Sequence, residues 1–236
     1  MSQAVHSQVH LRYEQNQSLP WEEAIAAYRY LDQQHNEAVL LEAGTTDVGK
    51  PLHTFIISSG GEFTPEAVRN AGKRVVFINN GIHPGESCGI DASIELAQNL
   101  LGGKRKYRSM LKNTVVVIVP VFNIGGALNR SPYHRANQNG PEEHGFRGNA
   151  RNLDLNRDFV KMDTRNAQSM ARLVRDWQPD LFLDTHSTNG ADIPYTVTLI
   201  STHPLQLEKP QADFLESVLL PGIYDAMAKT PYPAIP

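Results

Sequence analysis

The stretch Val75-Val76-Phe77-Ile78-Asn79-Asn80-Gly81-Ile82-His83-Pro84-Gly85-Glu86 runs from an unbroken apolar segment into a histidine and a glutamate three residues apart. A short apolar run of this kind reads as a strand covered on both faces, the type that parallel sheets contain. Such sheets place ligands just outside the carboxyl ends of their strands, so His83 and Glu86 stand where a divalent metal would sit. A lone His-x-x-Glu carries little weight, and corroboration has to come from the rest of the chain. Leu181-Phe182-Leu183-Asp184-Thr185-His186 is a second apolar strand that ends on a histidine. Between the two lies Asn152-Leu153-Asp154-Leu155-Asn156-Arg157-Asp158-Phe159, where polar groups alternate with apolar ones.

Outward from these segments the chain alternates strand and helix patterns. Residues 1–17 are polar and aperiodic, after which Pro20 opens a helix with Trp21, Ala24, Ile25, Tyr28 and Leu31 on one face. Strand patterns at about 38–43 and 52–59 flank the turn-rich segment from Gly44 to Pro51 and predict a hairpin. After the strand at 74–80, Ile90, Ile94, Ala97 and Leu101 recur at helical spacing until Gly102-Gly103 stops the helix, and a strand at 114–121 follows. Asn123 to Val160 shows no sustained period, which in a folded domain points to a functional segment. Asp163 is expected to cap a helix burying Ala167, Met170, Ala171, Val174 and Trp177, followed by a strand at 180–184. A strand at about 195–201 and a helix at 209–228, interrupted at Pro221-Gly222, complete the reading. The organisation expected is a polar segment, 1–17, and a single domain, 18–236.

With 236 residues, 40% of them hydrophobic, the chain has ample material for an α/β core. A formal net charge of −3 offers no basic footprint for nucleic acid or an anionic membrane. The apolar run from Val115 to Phe122 is too short to span a bilayer. The first residues lack the basic and apolar regions of a secretory leader, so a cytoplasmic location is expected. The one cysteine, Cys88, permits no internal disulfide and reads as a small buried hydrophobe.

Taken together, the three segments resemble the zinc carboxypeptidases, the carboxypeptidase A-like metallopeptidases, in order and spacing over roughly residues 20–201. The resemblance implies an α/β fold with a mixed, largely parallel twisted sheet flanked by helices. It also implies one zinc ion per chain and hydrolysis of the C-terminal residue of a peptide, or of a small amide with a free carboxylate. Catalytic zinc takes three protein ligands and leaves a position open for the water it acidifies. His83, Glu86 and His186 fit that count, with Gly85 expected to let the backbone turn so that the first two converge. Asp154 is implied as the carboxylate that takes the other ring N–H of His83 and holds its tautomer. Asn156 and Arg157 match the family's Asn-Arg pair, whose planar guanidinium grips the substrate carboxylate at two points. The alternation of Leu153 and Leu155 with Asp154 and Asn156 suggests an extended segment with its polar members on one side. Arg135, in His134-Arg135-Ala136-Asn137, best matches the arginine that polarises the scissile carbonyl, with Arg130 and Arg147 in the same loop as competitors. The remaining histidines, at 6, 10, 35, 53, 134, 144 and 203, read as structural or surface groups.

The departure from the family pattern comes late. Its general base is a glutamate on a late strand, preceded by a mobile tyrosine, yet none of Glu208, Glu216 or Tyr224 sits in such a segment among the residues after His186. The expectation is an amino-terminal portion of the domain that binds zinc, lacks its last strands and its base, turns over slowly and exposes an apolar sheet edge. Three other readings compete. Related deacylases that remove acyl groups from amino acids share similar ligands, although Pro84-Gly85 and the long Asn/Arg-rich loop look more like the peptidase branch. A non-catalytic zinc- or peptide-binding module fits the absent base. Gly85-Glu86-Ser87-Cys88-Gly89 matches the Gly-x-Ser-x-Gly elbow of serine hydrolases, with Ser87 as nucleophile.

Overall fold

The computed structural model describes residues 10–188, 194–232 and 234–235, which leaves His6 outside the described residues. The chain divides between Asn189 and Gly190 into two compact units.

In the first unit, helix α1 (Trp21–Gln34) forms behind Pro20 and buries Trp21, Ala24, Ile25, Tyr28 and Leu31, the face its spacing implies. Strands β1 (Ala38–Thr45) and β2 (Pro51–Ile57) pair antiparallel as a hairpin. Helix α2 (Pro65–Asn70), capped by the Thr64 side chain, leads into β3 (Arg74–Asn79). Helices α3 (Cys88–Leu101) and α4 (Arg105–Leu111) then return the chain to β4 (Thr114–Val119). The segment read as aperiodic holds one short helix, α5 (Ile124–Leu128), and two-residue strands β5 (Arg130–Ser131) and β6 (His144–Gly145) that pair with each other. Helix α6 (Arg165–Trp177) and β7 (Leu181–Asp184) follow. The cap of α6 is Thr164 rather than Asp163: its hydroxyl accepts the Ala167 amide and is itself fixed by the buried Asp158 carboxylate.

The five-stranded sheet has the order β1-β2-β4-β3-β7. β2 meets β4 antiparallel, while β4-β3-β7 is parallel, so the mixed sheet has a parallel half that carries the motifs. Side chains alternate between its faces with the period of two that a strand imposes. On one face Ile78, Val116 and Ile118 pack with α1 and α3 through Ile25, Ile90, Ile94 and Ala97. On the other, Val75, Phe77, Val115 and Val117 pack with Met170, Leu173 and Trp177 of α6. Both faces are covered, which is why β3 from Val75 to Ile78 and β4 from Val115 to Val119 are apolar at successive positions rather than at every second one. Each fully buried valine, isoleucine or phenylalanine of this kind stabilises the fold by about 1.5–3 kcal/mol. The parallel pairing sets Asn79 beside Asp184, so the carboxyl ends of β3 and β7 open at the same edge of the sheet.

The second unit contains β8 (Val197–Thr198), α7 (Lys209–Phe214), α8 (Leu220–Met227) and β9 (Ala234–Ile235), with β8 and β9 parallel. The strand expected at 195–201 is only two residues long. The helical break also lies earlier than Pro221: a wide π turn at Leu215–Leu219 joins α7 to α8. Pro221 has no N–H to donate and its ring crowds the preceding turn, so the widened turn one step upstream keeps the chain helical. Among the described residues, no helix is long and apolar enough to cross a membrane.

Candidate metal centre

Four residues beyond β3 and two beyond β7, His83 and His186 come together on either side of Glu86. Gly81, at φ +65°, makes the turn that carries the chain off β3, a conformation costly for a residue with a Cβ. Glu86 N–H then donates to the His83 carbonyl oxygen at 2.8 Å, closing the loop that brings the two side chains together. Gly85 has no left-handed backbone angle. Its value is clearance, since a Cβ there would lie 2.5 Å from Arg135 Cδ and 2.9 Å from the Gly145 carbonyl oxygen.

His83 Nδ1 lies 3.1 Å from Glu86 Oε1, and His186 Nδ1 lies 2.9 Å from Glu86 Oε2. The potential ligand atoms of the three residues fall within 4.8 Å of one another. His83 and Glu86 are buried at 2% and 3% exposure, whereas the His186 side chain is 35% exposed, so the cluster opens on that side. Both outer ring nitrogens are held by carboxylates: His83 Nε2 by Asp154 Oδ1 at 3.0 Å, and His186 Nε2 by Asp184 Oδ2 at 3.0 Å. Burial opposes ionisation of Glu86, but hydrogen bonds from His186, His83 and the Ser187 amide outweigh it and hold the carboxyl well below its ordinary range. The Asp184 and Glu86 carboxylates push His186 up to about 9. Asp154 is likewise held low against the cost of burial by His83, the Asn156 amide and Arg147.

Asp154 does not stand on an extended segment. Residues Leu155–Arg157 form a single 3-10 turn whose first amides fold back on Asp154, with Asn156 N–H donating to Oδ1 at 2.9 Å. Leu155 anchors the turn in the core at 0% exposure. Asn156 is half-buried, and Arg157 is exposed with its guanidinium donating to the Asn156 carbonyl oxygen at 2.8 Å. The preceding loop owes its order to side chains rather than to period. Asn149 accepts the Arg151 and Leu153 amides, and Asn123 donates to the Ile82 and Arg147 carbonyl oxygens.

Two arginines reach the cluster. Arg135 Nη1 donates to Glu86 Oε1 at 3.1 Å, Nη2 donates to the Thr188 carbonyl oxygen, and the side chain is only 9% exposed. Arg147, set aside in the sequence reading, donates to Asp154 Oδ2 from Nε at 3.0 Å and from Nη2 at 2.9 Å. Its Nη1 lies 3.4 Å from His83 Nδ1. Arg130 is turned away and holds Ser18 and the Glu143 carbonyl oxygen. Asp184 is the other residue the sequence reading passed over. Its place two positions before His186 at a strand end is the available signal, since residues i and i+2 share a face of a strand.

The donor set of two imidazole nitrogens and one carboxylate, with both outer nitrogens backed by carboxylates, suits zinc. None of the other described histidines belongs to such a group. Cys88 is exposed instead of buried and contacts the His186 carbonyl oxygen at 3.9 Å. Ser87 does not form an elbow: it has ordinary right-handed helical angles, φ −78° and ψ −13°. A nucleophile elbow is a sharp, strained turn, and Ser87 shows neither that strain nor a side-chain hydrogen bond to a histidine among the described residues.

The chain belongs to the zinc carboxypeptidase family, whose sequence model matches residues 25–198. No curated protein matches it. Among solved structures, the metallo-carboxypeptidase from Burkholderia cenocepacia is 23% identical, with 76% of this chain and 43% of that one covered and a TM-score of 0.60. Carboxypeptidase A from Helicoverpa armigera is 19% identical, covering 73% of this chain and 46% of its own, at a TM-score of 0.57. Thrombin-activatable fibrinolysis inhibitor is 15% identical, with coverage of 99% and 62% and a TM-score of 0.68. The chain thus spans 43% to 62% of the length of these three, and what it shares with them is the fold.

Proposed function

We propose that the chain is a zinc-dependent metallocarboxypeptidase that acts on peptides with a free C-terminal carboxylate, and that turnover by these 236 residues is slow. The convergence of His83 Nδ1, His186 Nδ1 and the Glu86 carboxylate carries the reading. Zinc held there would supply Lewis acidity, polarising a carbonyl and acidifying water. Asp154 keeps the Nε2–H of His83 engaged and its Nδ1 turned inward. Arg135, buried beside Glu86, is the guanidinium assigned to the scissile carbonyl, where fixed positive charge stabilises a developing oxyanion. Asn156 and the exposed Arg157 are assigned to the terminal carboxylate, which a guanidinium can bind through two parallel hydrogen bonds.

The carboxylates at the centre support slow turnover: among the described residues of the first unit, Glu86, Asp154 and Asp184 are each committed to a histidine. A positioned general acid–base group typically contributes about a hundredfold to ten-thousandfold. The test is calorimetric titration of the zinc-loaded chain with matched peptides ending in a free acid or an amide, together with an assay for release of the terminal residue. The free acids should bind at least about tenfold more tightly, and Arg157→Lys should remove most of that difference. Equal affinity for acid and amide would reject the carboxylate assignment. Chelator-sensitive release at about 1 per second or faster, an ordinary enzymatic rate, would reject slow turnover.

A further inference from the structure

Each histidine of the centre has a carboxylate on its outer ring nitrogen, although only one of these acids belongs to a recognised motif. Asp184 closes β7 and pairs in register with Asn79, which closes β3. Asn79 is fully buried, and its Nδ2 donates to Asp184 Oδ1 at 2.8 Å. That bond fixes the carboxylate and leaves Oδ2 aimed at His186 Nε2, 3.0 Å away. Both oxygens of Asp184 are thereby used, and the acid stands outside the group of atoms that converge on Glu86.

We propose that Asp184, held by Asn79, is a positioning residue that keeps the Nε2–H of His186 engaged and its Nδ1 facing Glu86. This rests on the metal reading of the centre given above. The physical need is specific to His186. Its ring is about one-third exposed, at 35%, so packing alone does not fix its rotation as it does for His83 at 2%. A carboxylate on the outer nitrogen selects the tautomer, orients the ring and raises the basicity of the nitrogen that binds metal. Asp154 shares its charge with Arg147. Among the described residues the Asp184 carboxylate has no Lys or Arg partner within salt-bridge distance, and its side-chain hydrogen bonds run to the Asn79 amide and to His186. Asp184 is therefore the stronger electrostatic support of the two.

The experiment compares parent, Asp184→Asn and Asp184→Ala in three measurements: zinc affinity by competition with a chromophoric chelator, the visible spectrum of the cobalt-loaded protein, and thermal unfolding of the metal-free chain. The asparagine variant keeps shape but must present its NH2 to one of two donors, Asn79 Nδ2 or His186 Nε2. Loss of a supporting carboxylate typically costs 10–100-fold in metal affinity. The expected result is a loss of that size in both variants, with an unchanged cobalt coordination number and an unchanged unfolding midpoint. Zinc affinity within twofold of the parent in a folded variant would overturn the proposal while leaving the metal centre standing. A changed coordination number would also overturn it, because Asp184 would then be a ligand. A parent chain that binds no zinc would remove the metal centre itself, and this proposal with it.

Discussion

A methyl group on Gly85 would press on Arg135 Cδ at 2.5 Å and on the Gly145 carbonyl oxygen at 2.9 Å. One contact is with a side chain that can move and the other with backbone that cannot do so cheaply. Gly85→Ala should therefore cost about 1–3 kcal/mol, the usual range for overpacking, and should pull Arg135 away from Glu86. In an Arg135→Ala background the same change should cost measurably less, because half of the collision is gone. Chemical denaturation of the four proteins in this cycle tests the coupling, and strictly additive costs would contradict the packing argument. At this scale much was legible in the sequence. His83, Glu86 and His186 stand out because strand ends place them, and Asp154 because of the motif around it. Arg147 and Asp184 were harder to see. The partners that give them meaning, His83 at 3.4 Å from Arg147 Nη1 and Asn79 at 2.8 Å from Asp184, lie across the fold and not along the chain.

In the first turn of α3, Asp91 is an acid 6% exposed, with no hydrogen-bond partner for Oδ1 among the described residues. The positive end of the helix favours its anion, and so does Arg12, but burial prevails and pushes the carboxyl up to about 6. The buried Tyr28 hydroxyl, itself raised by burial and then by Asp91, offers no compensating charge. A folded-state pKa above the unfolded value means that the folded chain binds the extra proton. The stability gained by protonation is complete below about pH 4 and is lost as pH rises through about 6. Asp91→Asn should accordingly stabilise the chain at pH 7 by at most about 3 kcal/mol, with the advantage fading towards pH 4. Urea midpoints across that window decide it, and a pH-independent difference would contradict it. Element by element, α1, α3 and α6 were readable because each spreads a 3.6-residue period over at least three turns. Helices α2, α4 and α5 span 6, 7 and 5 residues and show too little period to detect. The cap of α6 was misplaced by one residue because Asp163 and Thr164 are both good caps, and only the Asp158 contact singles out the threonine.

For the molecule as a whole, the informative boundary is β7. Among the described residues it has one strand neighbour, β3, and Leu181, Phe182 and Leu183 are 39%, 39% and 42% exposed. A strand with one described strand neighbour and three consecutive half-exposed apolar side chains is a site for strand-on-strand association. We predict concentration-dependent self-association in sedimentation velocity, reduced by Leu181→Lys. A chain that stays monomeric across the accessible range would contradict this. In the parallel half of the sheet, β3 and β4 were legible because strands covered on both faces carry runs of successive apolar residues, and β7 because its own short apolar run ends just before His186. The long segment from Asn123 to Val160 was not, since its order comes from asparagine and aspartate side chains bonding to backbone, which leaves no period behind. The central claim is that His83, Glu86 and His186 form one zinc site, and elemental analysis of the purified chain tests it most directly. The account predicts one zinc per parent chain and none retained stoichiometrically by His83→Ala or His186→Ala variants that still fold by circular dichroism. Full zinc content in both variants would contradict it.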